Sequence, residues 1–144
     1  MRPLNQLLGE SMIRAGKYSD NARIEEINPF SGSRKVEIDE GRLTVVLCSG
    51  SVAGFVVESK KGLLGRPYIE YLAVAKEHRR KGLALELIKT IEFKHRGKRL
   101  FISTESSNSA MLSLLEHRGY IHSGTISNAN LSGADELYFF KELA

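Results

Sequence analysis

Three adjacent cations, Arg79, Arg80 and Lys81, stand directly before Gly82, Leu83 and Ala84, where a strand-like run gives way to a helical one. The run Tyr68-Ile69-Glu70-Tyr71-Leu72-Ala73-Val74 has strand character, and Leu83, Leu87, Ile88 and Ile91 then recur at helical spacing. A helix N-terminus carries partial positive charge and up to four unbonded backbone N–H groups, so three cations beside one are electrostatically misplaced. The arrangement makes sense when an anion, most simply a phosphate or diphosphate, occupies the corner. Binding of a phosphorylated ligand is the chemistry to which this segment points.

The charge distribution isolates that corner. From Lys76 to Lys98 the chain carries eight Lys/Arg against three Glu, a local +5 within a total of +4. A solvated helix face, the ordinary reason for a charge run, accounts for Lys94, Arg96 and Lys98, because a helix C-terminus stabilises cations. It does not account for Arg79 to Lys81 at the opposite end. Other chemistries are excluded by what the chain lacks. There is no Gly-x-x-x-x-Gly-Lys-Ser/Thr loop, no Gly-x-Gly-x-x-Gly fingerprint and no Gly-x-Ser-x-Gly elbow. The four histidines, His78, His95, His117 and His122, have no metal-site spacing, and the single cysteine, Cys48, reads as a small core residue. No metal is expected.

The elements that must position the corner follow from periodicity and punctuation. A length of 144 residues with 42% apolar and 26% charged residues fits one domain, 1–144. No apolar run is long enough to cross a bilayer, and the first residues lack a secretory core, so a soluble, cytoplasmic protein is expected. Leu4, Leu7, Leu8, Met12 and Ile13 suit a first helix ending at Ala15-Gly16, and Ser19-Asp20 suits the cap of a second through Ile24 and Ile27. Ser33 to Glu40 fits a strand or a short helix, with helix favoured. Leu43–Cys48 and Val52–Glu58 read as a hairpin, Lys60–Pro67 as a loop, and Tyr68–Val74 as a strand. After the helix from Gly82 to about His95 come a strand Arg99–Ser103 and a helix capped by Ser106-Ser107 and ending at Gly119. Strands Tyr120–Ile126 and Glu136–Lys141 close the chain around a polar loop. The order implies an α/β (α+β) sheet with helices on both faces.

The triplet Leu72-Ala73-Val74 followed by Arg79-Arg80-Lys81-Gly82-Leu83-Ala84 resembles the signature of the GNAT superfamily of acyl-CoA-dependent N-acetyltransferases. Asn108 with Gly119-Tyr120, and Gly54-Phe55-Val56, resemble two further blocks of that family in the right order, so the likeness spans roughly Leu43 to Glu142. It implies a mixed, mostly antiparallel twisted sheet with helices on both faces, and acetyl-CoA (coenzyme A) as cofactor. Backbone N–H groups from Arg80 through Gly82, Leu83 and Ala84, aided by Arg79 and Lys81, are then expected to hold the diphosphate. The backbone of Leu72, Ala73 and Val74 is expected to pair with the pantetheine arm as an added strand. Asn108 is expected either to hydrogen-bond that arm or to cap a helix, two roles that are compatible.

Acetyl transfer to an alkyl ammonium of pKa about 10.4 requires a base. Glu70, on the same strand as Leu72 and Val74, is the first candidate, with an exposed surface carboxylate as the competing reading. Tyr71 and Glu105 rank lower. Backbone N–H groups near Leu72 and Val74 suit the developing oxyanion. The family often places a tyrosine seven residues after the asparagine as general acid, and here that residue is Leu115. Tyr120 or water could substitute, although Tyr120 suits a core position better.

Three functions therefore compete. The first is an N-acetyltransferase moving acetyl from acetyl-CoA to a primary amine of a small molecule or protein by direct attack. The second is a CoA-binding regulatory module of the same fold, and the third, ranked last, a nucleic-acid-binding module, since no aromatic interleaves the cationic corner. No membrane partner is expected, and the closing strands offer an edge for a homodimer. The family usually opens with a strand, and the expected N-terminal helix would leave the first sheet edge missing or supplied by a partner.

Overall fold

The computed structural model describes residues 11–29 and 33–144. Strands β1 (Ser11–Ala15), β2 (Leu43–Cys48), β3 (Ser51–Leu63), β4 (Arg66–Val74), β5 (Arg99–Glu105), β6 (Ile121–Ile126) and β7 (Glu136–Glu142) alternate with helices α1 (Asn21–Ile27), α2 (Lys35–Asp39), α3 (Leu83–Lys94) and α4 (Ser109–His117). The strands hydrogen-bond in the order β1-β2-β3-β4-β5-β7-β6. The fold is the expected mixed α+β architecture, with a mostly antiparallel sheet of seven strands in which β4 and β5 pair in parallel.

The first element differs from the expectation. Leu4, Leu7 and Leu8 lie outside the described residues, but Met12 to Ala15 form β1, not the end of a helix, and pair with Leu47 to Thr44 of β2. Short helices are marginal in isolation, whereas the outer edge of β2 offers every residue of this segment a ladder partner. The sheet edge that was expected to be missing is thus present. Asp20 precedes α1, yet its side chain does not cap the helix. Its carboxylate instead accepts from Arg14 Nη1 and Nη2, at 2.8 and 2.9 Å, and from the Lys17 amide at 2.8 Å. The Arg14 hydrogen bonds hold the Asp20 pKa below its ordinary range despite burial.

A second difference concerns Lys60–Pro67. The glycines and proline suggest a loop, but β3 continues to Leu63 and β4 resumes at Arg66. Only Leu64 (φ 51°) and Gly65 (φ 82°) turn, which is the left-handed pair of a tight hairpin. A proline near the start of a strand is tolerated, and Pro67 is buried there. The weakly favoured helix in Ser33–Glu40 is present as α2.

Two compact units divide the chain, Met1–Glu58 with Tyr71–Ile91, and Ser59–Glu70 with Glu92–Ala144. In the first, Ile24 of α1 packs with Leu43, Val45, Val52, Phe55 and Val57, flanked by Ile27, Ile38, Leu47 and Ala73. β3 is buried continuously from Val52 to Glu58, so both its faces are covered, and α3 carries a fully buried stripe at Leu83, Leu87, Ile88 and Ile91. In the second unit, β5 alternates strictly. Leu100, Ile102 and Thr104 are buried, while Arg99, Phe101, Ser103 and Glu105 are half-buried. Among the described residues no helix is long and apolar enough to cross a membrane.

The second unit is tied together by Glu92. Its carboxylate accepts Arg118 Nη2 at 2.6 Å and the Tyr120 hydroxyl at 2.9 Å, with Lys141 Nζ at 3.7 Å. Burial opposes its ionisation, but the Arg118 and Tyr120 hydrogen bonds and the Lys141 charge outweigh that, and its pKa lies below the ordinary carboxylate value. A depressed carboxylate stabilises the fold above the unfolded pKa of about 4.3 and loses that contribution as pH falls through its lower folded value. Tyr120→Phe removes one hydrogen bond to a charged group and is expected to destabilise by about 1.5–3 kcal/mol in urea unfolding at pH 7. The stability gap between the parent and Glu92→Gln should likewise shrink as pH drops below about 4. A gap that persists unchanged in acid contradicts this assignment.

Candidate functional site

β4 ends at Val74, and the chain then changes direction three times before α3. Ala75 is buried and its amide donates to the Ala53 carbonyl at 2.7 Å, which fixes the end of the strand against β3. The approach is so close that a Cβ on Gly54 would lie 2.8 Å from the Ala73 carbonyl oxygen. A short 3-10 turn, Lys76–His78, follows, closed by the His78 amide on the Ala75 carbonyl at 2.9 Å. Arg79 is extended (φ −71°, ψ 160°), Arg80 is left-handed (φ 65°), and Gly82 is left-handed (φ 79°). An extended residue followed by two left-handed positions bends the backbone sharply just before the helix. For a non-glycine residue the left-handed region costs about 1–2 kcal/mol, and such strain concentrates at ligand-binding sites.

α3 begins at Leu83, and the Gly82 carbonyl accepts the first intrahelical bond from Glu86 at 3.1 Å. The amides of Leu83, Ala84 and Leu85 therefore form a first turn with no carbonyl behind it. Leu83 anchors the corner by burying its side chain, while Arg79, Arg80, Lys81 and Gly82 are exposed. The cations are arranged around the corner by neutral partners. Arg79 Nε donates to the Val74 carbonyl at 3.3 Å, and Lys81 Nζ lies 3.2 Å from His78 Nδ1. The nearest carboxylate in sequence, Glu77, is taken by Arg23 at 2.6 Å, whose hydrogen bond lowers the Glu77 pKa. The donor set of turn amides and exposed cations fits a diphosphate.

Leu72, Ala73 and Val74 are half-buried and share the first unit with Arg79 to Ala84. Tyr71, in that unit too, lies under the Arg34 guanidinium, which is buried and sits 4.4 Å from the ring centroid. Glu70 and Asn108 belong to the second unit. Glu70 is exposed on β4. Asn108, and not Ser106 or Ser107, is the N-cap of α4, with its Oδ1 accepting the Met111 amide at 3.1 Å. The expectation of a serine cap fails because the turn that ends β5 takes up those residues. Leu115 is fully buried, and Tyr120 is core-like, 6% exposed, with its hydroxyl committed to Glu92. Burial, reinforced by the Glu92 charge, drives the Tyr120 pKa far up. Tyr120 is thus no substitute for the missing acid.

Residues that single-strand reasoning passes over are Tyr68, Ser103 and Tyr138. The Tyr68 hydroxyl lies 2.8 Å from Ser103 Oγ, and its ring stacks on Tyr138 with centroids 6.2 Å apart. Burial pushes the Tyr68 pKa up to about 12, with the Ser103 hydrogen bond opposing, so the phenol stays protonated. The signal for them was alternation within β4, β5 and β7. Among the described residues no group of three or more His, Cys, Asp or Glu could hold a metal ion.

A model of the acetyltransferase (GNAT) family matches residues 9–120. No curated protein matches the chain. Ard1 from Thermoplasma volcanium superposes with a TM-score of 0.81 at 18% identity, over 93% of this chain and 98% of that one. The ribosomal-protein-S18-alanine N-acetyltransferase from Escherichia coli gives 0.76 at 20% identity, over 93% and 94%. The protein yncA from Salmonella typhimurium, solved with its cofactor acetyl-CoA, gives 0.78 at 19% identity, again over 93% and 94%.

The strained turn yields a stability test. Arg80→Gly removes the left-handed penalty and should unfold at an equal or higher urea midpoint than the parent. Arg80→Val, β-branched at a left-handed position, should unfold at a lower urea midpoint than the parent. Equal destabilisation by both variants is incompatible with the turn described.

Proposed function

Because the chain belongs to the acetyltransferase (GNAT) family, we propose that it transfers acetyl from acetyl-CoA to a primary amine by direct attack, in a cytoplasmic setting. The observation that carries this reading is the turn Arg79–Gly82 with the first turn of α3, where amides without helix partners stand next to exposed cations. The amides from Arg80 to Ala84 hold the diphosphate, and Arg79 and Lys81 supply charge. The backbone of Leu72, Ala73 and Val74 lines the arm, and Asn108 contributes from the start of α4.

Acetyl-CoA supplies an acyl group activated as a thioester. The chain's own residues supply orientation and proton transfer. The acceptor arrives as an ammonium and loses a proton to Glu70, directly or through water, so that its nitrogen lone pair can form the new N–C bond while the C–S bond breaks. The nitrogen's second proton, released as the amide forms, passes to solvent or to the departing sulfur, whose thiol pKa of about 8.5 lets it leave without an acid from the protein. One observation favours a second reading, a CoA-binding module without turnover. Leu115, where the family often has its acid, is fully buried and inert.

Calorimetry should detect acetyl-CoA binding in the parent and a loss of at least about tenfold, or 1.4 kcal/mol, in Gly82→Asp and in Arg79→Ala with Lys81→Ala. Undiminished affinity in both variants would sink the corner as a diphosphate site. Glu70→Gln should lower kcat by about 10²–10⁴-fold across a panel of amines while acetyl-CoA affinity holds. Cofactor binding with no turnover of any amine selects the second reading.

A further inference from the structure

β5 has one packed face and one open face, and the open one continues onto its neighbours. Register pairs Tyr68 with Phe101 on one side, and Phe101 with Phe140, Ser103 with Tyr138 and Glu105 with Glu136 on the other. Tyr68 stacks on Tyr138, and Phe101 meets Phe140 at 5.8 Å. No residue of β7 is fully buried, although Leu137, Tyr138, Phe139 and Phe140 follow one another there. The result is a half-open aromatic face.

At the C-terminal end of β5 that face becomes acidic. Glu105 and Glu136 are directly opposed across the ladder, a placement in which like charges destabilise a sheet. Neither is neutralised among the described residues. Glu105 Oε1 accepts the Ser132 hydroxyl at 2.8 Å, and Glu136 Oε1 accepts Asn130 Nδ2 at 3.0 Å. Both donors are uncharged, in a chain with 21 Lys and Arg and a net charge of +4. Glu70 points to the same side of β4 as Tyr68, two residues away. At the far end of the face Arg66 is exposed two residues before Tyr68, and Arg99, 4.5 Å over the Phe140 ring, is paired with Glu142.

Uncompensated carboxylates next to tyrosine faces are suited to an ammonium, which gains from the opposite charge and from the ring quadrupole. Resting on the acetyl-transfer reading, we propose that this face is the acceptor platform and that the acceptor is a small linear amine with a second cationic group. The reacting amine lies at Glu70, and the second ammonium is held by Glu105 and Glu136 beside Tyr68 and Tyr138. A long basic peptide is disfavoured, because the exposed Arg66 would repel its continuation.

The test uses putrescine and cadaverine against n-butylamine and a lysine-rich peptide, at saturating acetyl-CoA. The diamines are expected to show a KM at least about tenfold lower than the monoamine, equivalent to 1.4 kcal/mol. Glu105→Gln and Glu136→Gln should each raise the diamine KM and narrow that preference, while calorimetric affinity for acetyl-CoA is retained. Both variants should melt no lower than the parent, since an opposed like-charge pair is relieved. Equal KM for diamine and monoamine, an undiminished preference in both variants, or preferred use of the peptide overturns the proposal. If no amine is acetylated, the transfer reading itself fails, and calorimetry with putrescine in the presence of CoA still decides the platform. Binding weakened by either substitution supports it, and no binding refutes it.

Discussion

A helix cannot bond its own first amides, and the way the chain enters α3 decides what does. The entry is fixed from behind by packing. Ala75 is locked to Ala53, Gly54 allows β3 to press against the Ala73 carbonyl, and Leu83 is buried on the far side of the turn. Between those anchors the backbone must reverse within a few residues, and it does so through left-handed conformations at Arg80 and Gly82. A glycine adopts that conformation freely, whereas an arginine does so against a steric penalty. The turn therefore carries local strain directly ahead of the unbonded first amides of α3, and the buried leucines of α3 hold it in place.

Charge is distributed to keep that corner unsatisfied. Acids elsewhere are closed into partnerships, Asp20 with Arg14 and Glu92 with Arg118, Tyr120 and Lys141. Glu77, close enough in sequence to neutralise the corner, is drawn off by Arg23. Among the described residues Arg79 meets a carbonyl and Lys81 an imidazole. On the open face of β5 and β7 the pattern is inverted, with two carboxylates served by neutral donors alone. One region is thus left open to an anion and another to a cation, as the proposed transfer to a basic acceptor requires.

The corner was legible in sequence because its signals are local: β-rich residues, then cations, then a glycine, then a helical apolar stripe. The hairpin Leu43–Glu58 and the strands closing the chain were legible for the same reason. β1 was not, since Met12 and Ile13 satisfy helical and strand spacing alike and only the edge of β2, thirty residues away, decides between them. The Lys60–Pro67 segment misled because turn-forming composition and an actual turn coincide only at Leu64 and Gly65. The aromatic face was hidden for a topological reason. Alternation in β5 reveals two faces, but that Tyr68, Ser103 and Tyr138 share one depends on β7 inserting between β5 and β6.

The residues that do not supply a proton also shape the chemistry. Leu115 is sealed in the core, and the Tyr120 hydroxyl is bound to a carboxylate that burial and charge combine to hold in place. Removing that proton would leave a buried phenolate beside Glu92, so Tyr120 is a structural donor. A reaction whose leaving group is a thiolate can proceed without an acid, because the thiol pKa of about 8.5 makes the anion a tolerable product near neutral pH. The harder proton is the one on the incoming ammonium, whose pKa of about 10.4 lies well above neutral pH. In the proposed transfer the chemical burden therefore falls on the acceptor side, on Glu70 as the base that takes that proton and on a surface suited to a cation.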